Sequence, residues 1–178
     1  MRHPAYLAIA LVLVAGCPNP DGLTETSKLP DQVIVGFLLH ESASGERLYT
    51  LEADTAYVFD SEQRSDVVRL KVSFYDAGSR VTAVLRADRG VVLNKSEDLV
   101  AHGGVVVRTQ DSTALWTDSL AWTNSMRLVR TDADVVIETP KGRVTGKGLV
   151  SDATFSRIQI LSPVQGSSDC QFDAPGGE

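Results

Sequence analysis

The sequence predicts an all-β domain, and three features of residues 33–161 lead to this expectation. Short valine-rich runs of alternating apolar residues dominate this region, and no proline occurs between Pro30 and Pro140. Because proline has no amide hydrogen to donate to a strand ladder, so long a gap suits a sheet. No window of helical length carries an i, i+3, i+4, i+7 apolar stripe.

Clusters of turn-forming residues separate the predicted strands. Their spacing of roughly 10–18 residues favours successive hairpins or a meander over units of strand, helix and strand. The clusters are residues 76–79, 94–98, 102–104, 109–112, 123–125 and 139–142.

The N-terminus has the features of a lipoprotein signal peptide. Arg2 precedes an apolar run, residues 5–16, which is short for a membrane-spanning helix of about 20 residues. The run ends in Val14-Ala15-Gly16-Cys17, which resembles the lipobox of bacterial lipoproteins and predicts Cys17 as a lipid anchor. The alternative is an ordinary signal peptide with an incidental cysteine.

Four segments are therefore expected. Residues 1–16 form the signal peptide, and residues 17–32, rich in Pro, Thr, Ser and Asp, form the lipidated N-terminus and a flexible tether. Residues 33–161 form the β domain, and residues 162–178 form a disordered tail. With Cys17 acylated, Cys170 in that tail has no disulfide partner and no predicted role.

One eight-residue pattern recurs along the domain. An apolar residue, a small residue and an aspartate are followed by small or apolar residues at fixed spacing, in residues 51–58, 85–92, 115–122, 129–136 and, more loosely, 144–149. The apolar positions change parity at the aspartate, which predicts a β-bulge that turns both half-strands toward one interior. Asp118 is then a corner residue, Trp116 faces outward and Trp122 faces inward.

No chemistry of an enzyme is predicted. The net charge is −6, and interspersed charges do not form the basic face that nucleic acid requires. His3, His40 and His102 are scattered without the spacing of metal ligands. There is no G-x-S-x-G motif, and residues 146–151 only approach G-x-G-x-x-G. We therefore expect no catalytic residues, no metal and no cofactor.

Several segments together resemble the LptC family of lipopolysaccharide export proteins, in the wider OstA/LptA-like group. They are residues 48–53 with Ala56, residues 72–76, 84–88, 103–107 and 115–122, and residues 144–152 with Phe155. The resemblance implies a twisted, half-open β-jelly roll, in which two antiparallel sheets form an apolar groove.

The resemblance also implies a function and its partners. Members receive lipopolysaccharide from an inner-membrane ABC transporter and pass it along the groove to a periplasmic, LptA-like bridge protein. Better-known members are anchored by a transmembrane helix, and this chain departs from them by its lipobox. The expected location is therefore the periplasmic face of the cell envelope, lipid-anchored to the inner membrane.

The repeated pattern selects the residues expected to line the groove. Two alternatives stay open: a structural or assembly lipoprotein in which these residues fill a closed β core, and a carbohydrate-binding lipoprotein that uses Trp116 and Trp122. The predicted lining residues are Leu51, Ala53, Ala56, Val58, Leu85, Ala87, Val92, Leu115, Leu120, Trp122, Val136 and Leu149.

Overall fold

Nine β-strands make up almost all of the fold in the computed structural model, which describes residues 28–168. A single turn of 3-10 helix, Asp60–Glu62, follows the second strand. The strands are β1 Gln32–Ala43, β2 Glu46–Phe59, β3 Arg64–Tyr75, β4 Val81–Leu93, β5 Asp98–Thr109, β6 Ala114–Thr123, β7 Leu128–Thr139, β8 Gly142–Asp152 and β9 Ile158–Ser168. β9 thus continues beyond residue 161, where the sequence predicted the domain to end. Cys17 and Cys170 lie outside the described residues.

Each strand pairs antiparallel with the next, in the spatial order β1 to β9. Within residues 28–168, β1 and β9 are therefore the two edges of a sheet that does not close into a barrel. The predicted all-β, half-open roll is confirmed, and its two predicted sheets are the two halves of this single sheet.

The register aligns apolar side chains in rows that run across the sheet. Residues directly opposite each other on neighbouring strands share a face, so one buried residue per strand builds a continuous inward row. The longest row consists of Leu51, Val72, Leu85, Val107, Leu115, Ile137 and Val144, all buried.

The sheet folds over so that its two halves meet. One half contains the end of β2 with Tyr49, and the other contains the end with Val58. Tyr49 and Val58 lie near opposite ends of β2, and Trp122 belongs to the inward row of Val58. The ring of Trp122 nevertheless lies 6.1 Å from that of Tyr49. The inward face of one half therefore packs against the inward face of the other.

Register shifts occur where three copies of the repeated pattern place their aspartates, on β4, β6 and β7, whereas none occurs at Asp54 on β2. The register shifts between Arg86 and Arg89, and again between Thr117 and Ala121. On β6, Leu115 and Leu120 are both buried, although their spacing of five residues would put them on opposite faces of a plain strand. The bulge around Asp118 thus turns both half-strands inward, as the pattern predicts.

Two adjacent glycines face Asp88 across one of these bulges. Gly103 and Gly104 both have positive φ, +79° and +55°. A Cβ on Gly103 would lie 3.1 Å from both Cβ and Oδ2 of Asp88, whereas a Cβ on Gly104 would come no closer than 3.8 Å to Asp88 Oδ2.

We predict that Gly103→Ala destabilises the domain more than Gly104→Ala. Both variants force alanine into a left-handed conformation, at about 1–2 kcal/mol, but only alanine at position 103 crowds Asp88, which would have to shift by a few tenths of an ångström. Chemical denaturation gives the two free energies of unfolding. Equal losses would show that the contact with Asp88 does not constrain the bulge.

Candidate functional site

The apolar interior holds most of the residues predicted to line a groove. Ten of the twelve are buried, namely Leu51, Ala53, Ala56, Leu85, Ala87, Val92, Leu115, Leu120, Trp122 and Leu149. Val58 is half-buried but lies opposite the buried Ser65, so it faces inward near the margin of the interior.

Val136 is the exception, because it lies on the outer face. Its neighbours Val135 and Ile137 are buried, and it pairs with the half-buried Trp116. On β6 two residues separate the inward Thr117 from the next inward residue, whereas on β7 three separate Thr131 from Val135. The extra residue restores the original parity, so the prediction of Val136 as inward is wrong.

Four aromatic rings form the centre of the interior. Phe74 lies 6.2 Å from Tyr49, 5.7 Å from Trp122 and 6.1 Å from Phe155, measured between ring centroids. Tilted contacts at such separations contribute beyond the area that they bury. The pattern did not select Tyr49 and Phe74, although each lies two residues from an inward position, Leu51 and Val72, and so shares its face.

The two tryptophans lie on opposite faces of β6. Trp122 is only 3% exposed, while Trp116 is half-buried on the outer face. They cannot form one stacking platform for a sugar, so the geometry counts against the carbohydrate-binding alternative.

A cavity of about 850 Å³ opens beside the loop between β8 and β9. Its apolar walls include Ile137, Val150, Phe155 and Ile158, and Ser151 adds a buried hydroxyl. Two further cavities in this part of the chain are smaller, at about 330 and 340 Å³.

Asp152 organises this loop. Its carboxylate accepts hydrogen bonds from the Thr154 hydroxyl at 3.0 Å, from the Ser156 amide at 2.9 Å and from the Ser156 hydroxyl at 2.7 Å. Burial opposes ionisation of Asp152, but these hydrogen bonds outweigh it and hold the pKa of the carboxyl below its usual value. Phe155, at the apex, has φ of +57°, which is uncommon for a bulky residue.

Carboxylates gather where β1 meets the turn after β4. Glu41 is 9% exposed, and burial, followed by the hydrogen bond and charge of Glu97, raises its pKa, while Asn124 acts in the opposite direction. Asn124 donates to Glu97 Oε2 at 2.9 Å, and the Tyr49 hydroxyl donates to the Glu97 carbonyl at 3.3 Å. Burial, followed by the charges of Glu41, Glu97 and Asp98, raises the pKa of Tyr49. Glu41 thus ties the edge hairpin to the centre of the roll.

We predict that Glu41→Gln stabilises the domain at pH 7.5 and leaves its stability near pH 4 unchanged. The pKa of Glu41 is raised in the folded state, so its contribution is fully present below its usual value of 4.5 and is lost as the pH rises through the raised value. Thermal denaturation between pH 4 and pH 8 measures this loss, which glutamine does not undergo. Glu46→Gln, in the exposed start of β2, is the control and should follow the wild-type pH profile. A Glu41→Gln profile parallel to that of the wild type would contradict the assignment.

Both edges of the sheet offer unpaired backbone groups. β1 also exposes apolar side chains, with Val33 56%, Val35 82% and Leu38 57% exposed. An exposed apolar edge strand is a template for pairing with another chain.

The described residues contain no group of histidine, cysteine and carboxylate side chains that could hold a metal ion. None of the helices in this part of the chain is long and apolar enough to cross a membrane.

Comparison with solved structures finds the same fold. The periplasmic component LptH of the lipopolysaccharide transport device from Pseudomonas aeruginosa, an LptA homologue, matches with a TM-score of 0.50 and 12% sequence identity. The match covers 69% of this chain and 94% of LptH, and at this identity it shows the fold alone. No curated protein sequence matches the chain.

Comparison with protein families gives the identity. The family described as lipopolysaccharide-assembly, LptC-related, matches residues 8–169, which is most of the 178 residues. Proteins of this family are transport components, so the chain takes part in lipopolysaccharide transport and is not an enzyme. The resemblance in the sequence is thereby confirmed: the chain belongs to the LptC-related family of lipopolysaccharide-assembly proteins.

Proposed function

We propose that this chain receives lipopolysaccharide from an inner-membrane ABC transporter, carries its acyl chains in the apolar interior and passes them to a periplasmic bridge protein. The observation that carries the proposal is the inward row from Leu51 to Val144, which contains no polar side chain on seven successive strands. Such a row is a path for hydrocarbon between the two edges of the sheet, on which each buried CH₂ gains about 0.8 kcal/mol.

The interior side chains pack against one another in the structure, so lipid enters as the two halves of the sheet move apart. Within residues 28–168, strands that are not consecutive in the sequence share no ladder. Opening therefore breaks side-chain contacts and leaves the strand ladders intact, and acyl chains replace the lost apolar contacts with others of the same kind. The interior therefore has two states: a closed state in which its side chains fill the core, and an open state that holds acyl chains.

The two edge strands are the proposed docking sites for neighbouring transport proteins. A partner with the same fold would add a strand to β1 or β9 by backbone hydrogen bonds. This continues the sheet, and with it the inward rows, from one protein into the next. The exposed side chains of Val33, Val35 and Leu38 would then be covered on the β1 side.

The lipobox supplies the proposed anchor. Acylated Cys17 would hold the domain at the periplasmic face of the inner membrane, through the residues that precede β1 as tether. Several acyl chains on one residue make anchoring stable, where one chain binds only marginally.

Photo-crosslinking tests the lipid path. We predict that a photoreactive phenylalanine derivative at position 58 crosslinks to lipopolysaccharide at least several-fold more than one at position 57. Val58 faces inward and is half-buried, so a larger side chain is tolerated there, whereas Tyr57 is 37% exposed. The same contrast is expected between Phe37, packed against the core, and Leu38, which is 57% exposed.

Circular dichroism of each variant checks that the sheet is retained. Equal labelling at the inward and outward member of both pairs would refute an internal path, since a lipid on the outer surface would not distinguish them.

A separate prediction concerns the anchor. Cys17→Ala should abolish incorporation of labelled fatty acid and move the protein from the membrane fraction to the soluble periplasmic fraction. Cys170→Ala is the matched control and should remain acylated. Continued acylation of the Cys17→Ala variant would contradict the lipobox assignment.

A further inference from the structure

The ring of Phe155 separates the 850 Å³ cavity from the aromatic centre of the interior. Phe155 lines the cavity on one side, and its ring packs against Phe74 at 6.1 Å on the other. Phe74 in turn contacts Tyr49 and Trp122. If the ring of Phe155 moves out, the cavity extends to the side chain of Phe74 at the aromatic centre.

The ring comes from a loop, and its neighbours in the centre come from strands. Phe74 and Trp122 are fixed by ladder pairs on both sides, whereas Phe155 sits between β8 and β9 and is held by the hydrogen bonds around Asp152. Its φ of +57° stores strain of the kind that persists where the surroundings impose it. Phe155 is therefore the ring of the centre that can leave without breaking the sheet.

The wall of the cavity also offers an unused hydrogen-bond donor. Ser151 is 2% exposed and lines the cavity, and its hydroxyl has no hydrogen-bond partner among residues 28–168. A buried donor of this kind gains by meeting an acceptor. Acyl chains attached through esters or amides bring a carbonyl oxygen with their hydrocarbon.

We propose that this cavity is a docking subsite for the carbonyl end of an acyl chain, and that the chain displaces the Phe155 ring, which occupies its place in the structure. The Ser151 hydroxyl donates to the ester or amide carbonyl, and the hydrocarbon follows the path of the ring toward Phe74. This inference rests on the proposed transport of lipopolysaccharide and adds to it where a chain enters and what closes that opening.

Fluorine NMR on the full-length protein tests the displacement. With 4-fluorophenylalanine at position 155, the signal is expected to be protected from a soluble paramagnetic agent without lipopolysaccharide, and broadened by the agent when lipopolysaccharide is present. The same label at position 74, which is 1% exposed and on a strand, is the control and should stay protected in both conditions.

Two substitutions test the subsite by lipopolysaccharide affinity. Phe155→Ala should tighten binding by on the order of tenfold, because a larger fraction of the protein is then ready to accept the chain. Ser151→Ala removes the donor and should weaken binding about 2- to 10-fold. Phe155→Ala also removes a core contact and could prevent folding. In that case the fluorine NMR experiment, in which the labelled protein keeps the ring, tests the proposal.

The outcomes separate this inference from the proposed function. Crosslinking at position 58 with the fluorine at position 155 still protected overturns the Phe155 subsite and leaves internal transport standing. Absence of crosslinking at position 58 overturns both. Crosslinking at position 58, together with exposure of the fluorine at position 155 but not at position 74, supports both the internal path and the Phe155 subsite.

Discussion

The contact between the two halves of the sheet, made by Tyr49, Phe74 and Trp122, is the constraint on which the rest of the structure depends. Among residues 28–168 the strands pair only in sequential order, so no hydrogen-bond ladder joins the row of Tyr49 to the row of Trp122. Layers that pack face to face lie about 10 Å apart and meet through side chains. The roll is thus held shut by apolar burial, and tilted ring contacts at 5.7–6.2 Å are its strongest directional part.

This division of roles suits a protein that carries hydrocarbon. Ladder hydrogen bonds keep each half rigid, and apolar contacts between the halves are of the same kind that an acyl chain makes. A lipid can therefore replace them without leaving backbone groups unsatisfied, which would be expensive in an apolar interior. A closed barrel of the same strands could admit the same chain from the side only by breaking a ladder.

The sequence predicted the class of the fold and most of the inward face, because both follow from local rules. Residues 115–122 carry the parity change that places Leu115 and Leu120 on the same side, and the structure has the bulge there. The prediction for Val136 is wrong because the face of a residue after a bulge depends on how many residues the bulge contains. The bulge of β7 contains one residue more than that of β6, so Val136 lies on the outer face. The apolar periodicity of the sequence does not indicate how many residues a bulge contains.

The polar cluster and the Phe155 loop could not be predicted for a different reason. Glu41 and Glu97 lie on different hairpins and approach each other only after the sheet has folded over, and nothing near either residue in the sequence indicates this. Phe155 belongs to the segments that carry the family resemblance, but the position of its buried ring against Phe74 follows from the folded sheet and not from the local pattern. The local sequence pattern thus predicts which face of a strand a residue lies on, whereas contacts between the two halves of the sheet depend on how the sheet curves.

Curvature is in turn set by the repeated aspartate pattern, which links the sequence to the function more directly than any single lining residue. Asp88 lies against Gly103, Asp54 pairs with Arg69, and Asp118 and Asp132 are exposed at the bends of β6 and β7. Asp88, Asp118 and Asp132 lie at register shifts, whereas Asp54 lies opposite Arg69, which has positive φ. Bulges increase the local twist of a sheet. Without these bends, successive strands would extend a flatter sheet, and the rows of Tyr49 and Trp122 would stay at opposite ends of it. These aspartates therefore act on the shape of the sheet: they bring together two apolar faces that no strand ladder joins within residues 28–168, which is the arrangement that the proposed opening to lipid requires.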